Sequence, residues 1–519
     1  MEKVKQTLRD SAAMRWLALV LVSGLMFGTY WFQDFFSGLK GLMESQMGFS
    51  SEEFGRLIGL TTIANMFGMI ILGGMILDKW SVRVAGLVFG GLATLGASIT
   101  ALASHGFFGE GHSITLTMMI VGRIMFGSGL EVVCVVATRT VVKWFKGSEL
   151  ALAMAINMGF GRLGTALGMA ISIDIAKGMV APAVSFAATL IGIGLIMILV
   201  YMIFDIKIDR QDARQGEGPK EEFKFTDLFK LLKNPGFMYI AFLCLAFYAA
   251  VFPFIQYAPD LLVNKFGFSY DLAPGEGAVI LFGSQVLGNA SVIVAFFLFG
   301  LSFSLVPANI KNRGGKIISV LLLIALFVVF ITTLWENTLS VWLRNGPKTA
   351  SLIPLGTILF TPVFGNYVDK KGRAASLMIL GSLLLIFAHL ALSVFNSVTL
   401  GYLGLLSLGI AFSLVPAAMW PSVAKIVAES RLGTAYATMF TIQNWGLGLF
   451  FWGIGALLDL TNKTDLEAIR AGEKVYDYTI PILTLVVCGI VSIFLAYKLL
   501  KTDKKHGYGL ELPSGQKPE

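Results

Sequence analysis

Fourteen apolar runs, each long enough to cross a bilayer, dominate this chain. They fall at roughly 16–40, 56–77, 84–104, 114–138, 150–174, 180–204, 236–262, 277–305, 316–338, 349–368, 375–395, 398–424, 432–458 and 479–500. A hydrocarbon core about 30 Å thick takes about 20 apolar residues as helix, so each run reads as a span. Most have no polar face, which means that lipid surrounds them. With 56% hydrophobic residues, 14% charged residues and a mean hydropathy of +0.76, a soluble globular protein is excluded. The expected fold is an all-α integral membrane protein. Its first run continues past Tyr30 with no small-residue cleavage site, and so reads as a retained span rather than a signal peptide.

The net charge of +8 sits in short loops between the runs, not in a nucleic-acid stripe. Lysine and arginine crowd the amino terminus, the loops at 78–83, 139–146, 205–235, 311–316, 369–373 and 425–431, and the tail from Lys498. The alternate loops, such as 41–55 and 459–478, are neutral or lean acidic. This bias puts the basic loops and both termini in the cytoplasm, in agreement with an even number of spans. Cys134, Cys244 and Cys488 lie in apolar runs, and the histidines at 105, 112, 389 and 506 are scattered. No metal, cofactor or enzymatic chemistry is expected from them.

The longest polar stretch, 205–235, marks a boundary. Before it, 1–204 forms one six-span bundle. The stretch itself is a cytoplasmic linker with an interfacial helix. After it, 236–500 forms a second bundle with two extra spans inserted at about 277–338, and 501–519 is a cytoplasmic tail. Two loops support the internal repeat. G-G-M-I-L-D-K-W-S-V-R at 73–83 and G-N-Y-V-D-K-K-G-R at 365–373 each place a glycine four residues before an aspartate, with cations following. Close helix packing at the glycine and charge locking at the aspartate are the physical uses of such a turn. Two copies at corresponding places indicate two pseudo-symmetric halves with a site between them.

Charge inside the runs points to that site. Glu131 lies twelve residues before Lys143, and Arg162 sixteen after Lys146. At about 1.5 Å per residue both sit roughly 18–24 Å from the same membrane face, on antiparallel neighbours. A buried ionisable residue is a site candidate by default, and an opposite-sign pair suits a ligand with both an amine and a carboxylate. A structural salt bridge is the plainer reading. Glycines at 159, 161, 164 and 168 allow close helix approach and leave room beside Arg162.

These residues resemble the major facilitator superfamily. Its loop motif matches Gly74, Asp78, Lys79 and Arg83, with Ser81 or Val82 where a second glycine is usual. The copy Gly365, Asp369, Lys370, Gly372 and Arg373 is fuller, and Gly122, Arg123, Gly127 and Gly129 match the fourth-span pattern. Within the superfamily, G-R-I-M-F-G-S-G-L-E, V-K-W-F-K-G-S-E-L, Y-A-A-V-F-P-F-I, W-P-S-V-A and L-G-T-A-Y-A-T-M-F-T-I-Q-N resemble the branch of major facilitator superfamily domain-containing protein 1, the lysosomal dipeptide uniporters. The resemblance implies two six-helix bundles and movement of small peptides. It also implies dipeptide binding by a glutamate and an arginine that fall on Glu131 and Arg162. It leaves room for an accessory membrane subunit beside an expected monomer. The chain departs from the branch in the two extra spans, read as a peripheral, lipid-facing hairpin.

Other polar and aromatic groups in the runs are weaker candidates. Tyr30 and Asp34 sit in the outer part of the first span; Asp34 reads as an amine ligand, a proton acceptor or a solvated mouth residue. Tyr248, Phe252 and Gln256, four apart, share one helical face, as a binding wall or as core. Pro253 is expected to break that helix. Trp420, Gln443 and Asn444 bring aromatic and amide groups, which also serve helix-to-helix bonding. Arg123 reads as a packing residue or a neighbour tuning Glu131. Two alternatives stay open: a proton-coupled carrier of another small organic anion, and a receptor that moves nothing. Short outer loops favour a cytoplasmic membrane of bacterial type, with the lysosomal membrane as the alternative.

Overall fold

The computed structural model describes residues 8–145, 149–212, 225–273, 275–428, 431–513 and 516. α1 (Ala12–Asp34) runs through a tight 3₁₀ stretch, Phe35–Leu39, into α2 (Lys40–Met47). α3 (Ser51–Gly59), α4 (Ile63–Met66) and α5 (Met69–Trp80) follow one path that bends by 52°. α6 (Val82–Ser104), α7 (His112–Phe145), α8 (Leu150–Ala176) and α9 (Val180–Asp212) complete the first half. The short α10 (Phe225–Leu232) lies in the expected linker, whose residues 213–224 are outside the described ones.

The second half begins with α11 (Pro235–Phe266), capped by Asn234 and stopped by Gly267 in the left-handed conformation. The insertion follows as α12 (Gln285–Asn309) and α13 (Arg313–Leu334). Short α14 (Ser340–Trp342) and α15 (Gly346–Ala350) lead to α16 (Leu352–Lys371), α17 (Ala374–Ser393), α18 (Val398–Ile426) and α19 (Leu432–Thr461). α20 (Leu466–Arg470) and α21 (Thr479–His506) close the chain.

Among the described residues eleven helices are long and apolar enough to cross a membrane, and the bent path makes twelve. α8 and α19, of 27 and 30 residues, fall on two further predicted runs. α1 packs on α8 and α9, and α6 on α7 and α9; in the second half α11 packs on α19 and α21, and α17 on α18 and α21. The halves meet where α3 lies along α19 and where α8 lies along α15 and α16.

The two ends of the bundle differ in chemistry. At one end Lys143 pairs with Asp205 (2.6 Å) and Asp209 (2.5 Å), joined by Arg83 at 3.2 and 2.6 Å. Arg15 meets Glu149 there, and Lys425 donates to the carbonyls of Gly509 and Leu512. This basic end is the one that the charge bias assigns to the cytoplasm. The loops at 41–55 and 459–478 lie together at the other end, where Asp459 accepts the backbone N–H groups of Ser51 (3.2 Å) and Glu52 (2.7 Å). A carboxylate at the N-terminus of α3 satisfies donors that have no partner inside the helix.

Three expectations need correction. Pro253 does not break its helix: α11 runs unbroken through both Pro253 and Pro259. Burial of most of this helix holds the turns that lack a proline N–H. The insertion is not wholly peripheral. α13 has no buried residue, but α12 fills the seam between α8 and α16, with the Phe297 ring against Gly159 and Ile358 against Gly300. Finally, Gly74 and Gly365 are not close-packing glycines here. A Cβ at either would meet nothing described within 4 Å, and Gly74 instead faces the open cavity. The side chains of Asp78 and Lys79 lie outside the described ones.

Candidate binding cavity

A cavity of about 700 Å³ lies between the halves. Gly74, Arg139 and Gly433 line it towards the basic end, while Asp34 and Thr61 line it towards the other. It holds nine of the ten predicted binding residues. Tyr30, Asp34, Glu131 and Arg162 come from the first half; Tyr248, Phe252, Trp420, Gln443 and Asn444 come from the second. Gln256, the tenth, reaches the same place from α11 by donating to Asp34 at 2.6 Å.

Close backbone approach sets the first wall. A Cβ at Gly164 would stand 2.4 Å from the carbonyl of Phe27, so only glycine lets α8 press onto α1 there. That contact places Arg162 and Thr165 beside Tyr30 and Asp34. Likewise a Cβ at Gly127 would overlap the Thr61 carbonyl, and the missing side chain seats α7, with Glu131, against the bent second path. Thr165 donates to Asp34 at 2.6 Å, so one carboxylate takes a hydrogen bond from each half.

Glu131 and Arg162 share the cavity, yet no ion pair joins them among the described residues. Each is set against the opposite half instead. The guanidinium of Arg162 lies 4.4 Å from the ring centre of Phe412 on α18. Asn444 on α19 sits beside Glu131 and donates its own Nδ2 to the Phe440 carbonyl at 2.9 Å. The cation–π contact holds Arg162 without neutralising it.

The second wall is neutral. Tyr248 and Phe252 stack at 5.3 Å, and Trp420 and Phe440 at 4.9 Å. Trp420 donates its indole N–H to Tyr248 at 3.1 Å. Among the described lining residues every charged one, Asp34, Glu131, Arg139 and Arg162, belongs to the first half.

Arg123 stands outside the cavity lining. Fully buried, it donates to the Phe32 carbonyl (2.8 Å) and the Thr61 hydroxyl (3.0 Å) and lies among the rings of Phe32, Phe36 and Phe126. These contacts tie the first, second and fourth spans of the first half together. Among the loop residues, Arg83 ties α6 to α9 through Asp205 and Asp209. Arg373 adopts φ 62°, its backbone N–H donating to Glu511, and Lys370 is exposed beside Asp369.

At the end away from the basic loops, buried ion pairs bridge the halves. Lys40, wholly buried, pairs with Glu44 (2.6 Å) on its own helix and with Asp260 (2.8 Å) on α11. Asp260 also accepts from the hydroxyls of Tyr270 and Tyr478. On the far side of the seam, Lys348 pairs with Asp174 of α8 at 3.1 Å, and Asn289 of the insertion donates to the same carboxylate at 2.9 Å.

Sequence reasoning missed several of these groups. Thr165 lies three residues from Arg162 and was legible as a neighbour on the same helical face. Arg139 stood out only as a loop cation. Phe412 opens a string, F-S-L-V-P-A, that also occurs at 303–308, and nothing local marks it as the partner of an arginine 250 residues earlier.

A family model described as Major Facilitator Superfamily matches residues 19–346 and 349–516. The Lysosomal dipeptide transporter MFSD1 of Danio rerio is 25% identical over 470 residues, which cover 87% of this chain and 82% of that protein. Its Homo sapiens counterpart is 24% identical over 521 residues, covering 98% and 90%. Among solved structures, the nucleoside transporter NupG matches with a TM-score of 0.58 at 15% identity, over 94% of this chain and 99% of that one. A D-xylose-proton symporter matches with a TM-score of 0.57 at 12% identity, over 98% and 100%. These two likenesses concern the fold alone.

Proposed function

We propose that this chain, which belongs to the major facilitator superfamily and is a membrane transporter, moves small zwitterionic peptides, dipeptides above all, by alternating access. The observation that carries this is the unpaired opposition of Glu131 and Arg162 across one cavity. A free amino group bonds to the first and a free carboxylate to the second, each as a charge-assisted hydrogen bond. At about 700 Å³ the cavity lies within the range of about 300–1,000 Å³ usual for small-molecule sites. Names of relatives as dipeptide transporters support the same reading.

Transport follows from the difference between the ends. With Lys40–Asp260 and Asp174–Lys348 closed and the cavity reaching the basic end, this is the state that loads or releases on the cytoplasmic side. A bound zwitterion neutralises Glu131 and Arg162, so that the cavity can close around it while the halves rock. The membrane is the cytoplasmic one that the short outer loops favour, or the lysosomal one that the relatives' names give.

The test is counterflow. Liposomes holding the protein and loaded with unlabelled Ala-Ala should accumulate labelled Ala-Ala; no accumulation above empty liposomes overturns the reading. A second reading, proton coupling, draws on Asp34, a carboxylate lining the cavity that accepts from Thr165 and Gln256. Uniport predicts the same initial rate with and without an imposed pH gradient, whereas proton coupling predicts stimulation that Asp34→Asn abolishes.

A further inference from the structure

The proposed clamp uses the first-half wall for the termini of the ligand, which leaves the second-half wall to meet its side chains. That wall has an unusual chemistry. Most of its bulky residues are aromatic, and the donors of Trp420 and Tyr436 are engaged within the wall. The Trp420 indole N–H goes to the Tyr248 hydroxyl, and the Tyr436 hydroxyl goes to the Trp420 carbonyl, each at 3.1 Å. The wall also carries the neutral amides of Gln443 and Asn444 and the Thr434 hydroxyl, but its broad surface for a ligand side chain is ring face and ring edge.

The rings stand as two stacked pairs. Tyr248 and Phe252 lie 5.3 Å apart with planes 15° from parallel; Trp420 and Phe440 lie 4.9 Å apart at 28°. All four line the cavity. Covering ring surface that borders the cavity releases its hydration. An aromatic side chain adds offset or edge-to-face contact to the plain burial of area.

Charged side chains fit less well. No second-half lining residue that is described offers a cation to an acidic side chain or a carboxylate to a basic one. A basic side chain directed at this wall would also approach the Arg162 guanidinium, which already occupies the Phe412 ring. The like charges repel at low dielectric.

We infer that the aromatic wall formed by Tyr248, Phe252, Trp420 and Phe440 selects zwitterionic peptides with an aromatic side chain over those with charged ones. The inference rests on the dipeptide reading above. It adds a specificity determinant that the clamp alone, which reads only termini, does not contain.

The experiment is competition by unlabelled dipeptides against labelled Ala-Ala in the counterflow assay. The panel is Ala-Ala, Ala-Phe, Phe-Ala, Ala-Asp and Ala-Lys. The expected result is that the better of Ala-Phe and Phe-Ala competes about tenfold more strongly than Ala-Ala, with Ala-Asp and Ala-Lys weaker than Ala-Ala. Trp420→Ala should bring the Phe-containing peptides to within about twofold of Ala-Ala; if that variant does not fold, Phe252→Leu, which keeps an apolar side chain, reads the same ratio. Equal competition by Ala-Phe, Phe-Ala and Ala-Ala overturns the inference and leaves the dipeptide reading standing. So does Ala-Lys or Ala-Asp as the strongest competitor, or a ratio unchanged in the folded variant. No dipeptide competing or being carried at all removes the dipeptide reading itself.

Discussion

Charge is used in opposite ways in the cavity and in the seal beyond it. In the seal it crosses between the halves and is neutralised there: Lys40 of the first half meets Asp260 of the second, and Asp174 of the first meets Lys348 of the second. In the cavity the charged side chains that are described come from the first half, with Glu131 beside an amide and Arg162 over a ring. A buried pair that is complete holds two surfaces together, while a buried charge left without a counter-charge favours whatever brings one. The same elementary interaction therefore joins the halves at one depth and, in the proposed function, receives a ligand at another.

The largest effect is expected where a lock is broken from one side. Lys40→Met leaves Asp260 buried and Glu44 half-buried without their cation, a loss of about 3–5 kcal/mol. It should appear as a lowered Tm in detergent and as faster thiol labelling of a cysteine placed in the 41–55 loop. A mutant as stable and as poorly labelled as the parent would mean that the pair is not what closes this end.

Removing a clamp residue comes next. Arg162→Ala and Glu131→Ala should each lower Ala-Ala counterflow roughly a hundredfold, on the order of 3 kcal/mol, because one end of the ligand loses a charge-assisted partner. Unlike Lys40→Met, neither should lower Tm, since neither charge is neutralised by the protein. A stability loss as large as that of the lock mutant would make the two regions alike.

A third substitution turns the cavity into a lock. Phe412→Glu puts a carboxylate where Arg162 now rests on a ring, 4.4 Å from its centre. Ala-Ala counterflow should fall about tenfold, because the ligand carboxylate then competes with a tethered one. Undiminished transport would show that Arg162 does not meet the ligand from this position.

The smallest effect concerns the repeated loops. Where the second copy has Gly372, at φ 70°, the first has Ser81 held at φ 98°, backbone that favours glycine. Ser81→Gly should raise stability by about 1 kcal/mol, read as Tm, without altering counterflow. No gain would mean that the serine side chain compensates for its strained backbone.

Much of this was open to reading from residues alone. Span positions follow from run length, and the halves from two loops of one pattern. Glu131 and Arg162 stand out as candidates because ionisable groups are costly in a bilayer, and both line the cavity. What stayed hidden depends on how one half is turned against the other. Helical spacing tells which residues share a face, as with Tyr248 and Phe252, but not that Phe412 would lie under Arg162 or that Lys40 would find Asp260. Pro253 misled because a proline in a single run looks like a break, whereas α11, buried along most of its length, carries the helix through it. Gly74 misled because a glycine at a helix end looks like a contact, and here it borders open space.

The clamp is tested most directly by matching each end of the ligand with its residue. Thermal stabilisation by Ala-Ala, N-acetyl-Ala-Ala and Ala-Ala-amide would be measured for the parent protein, Glu131→Gln and Arg162→Gln, since a ligand that binds the native state raises Tm by mass action. The clamp predicts that either block abolishes stabilisation of the parent. It also predicts that acetylation costs nothing further in Glu131→Gln, and amidation nothing further in Arg162→Gln, because each pair is already broken. Blocked and free peptides stabilising the parent equally, or the two losses simply adding in the matched variants, would contradict it.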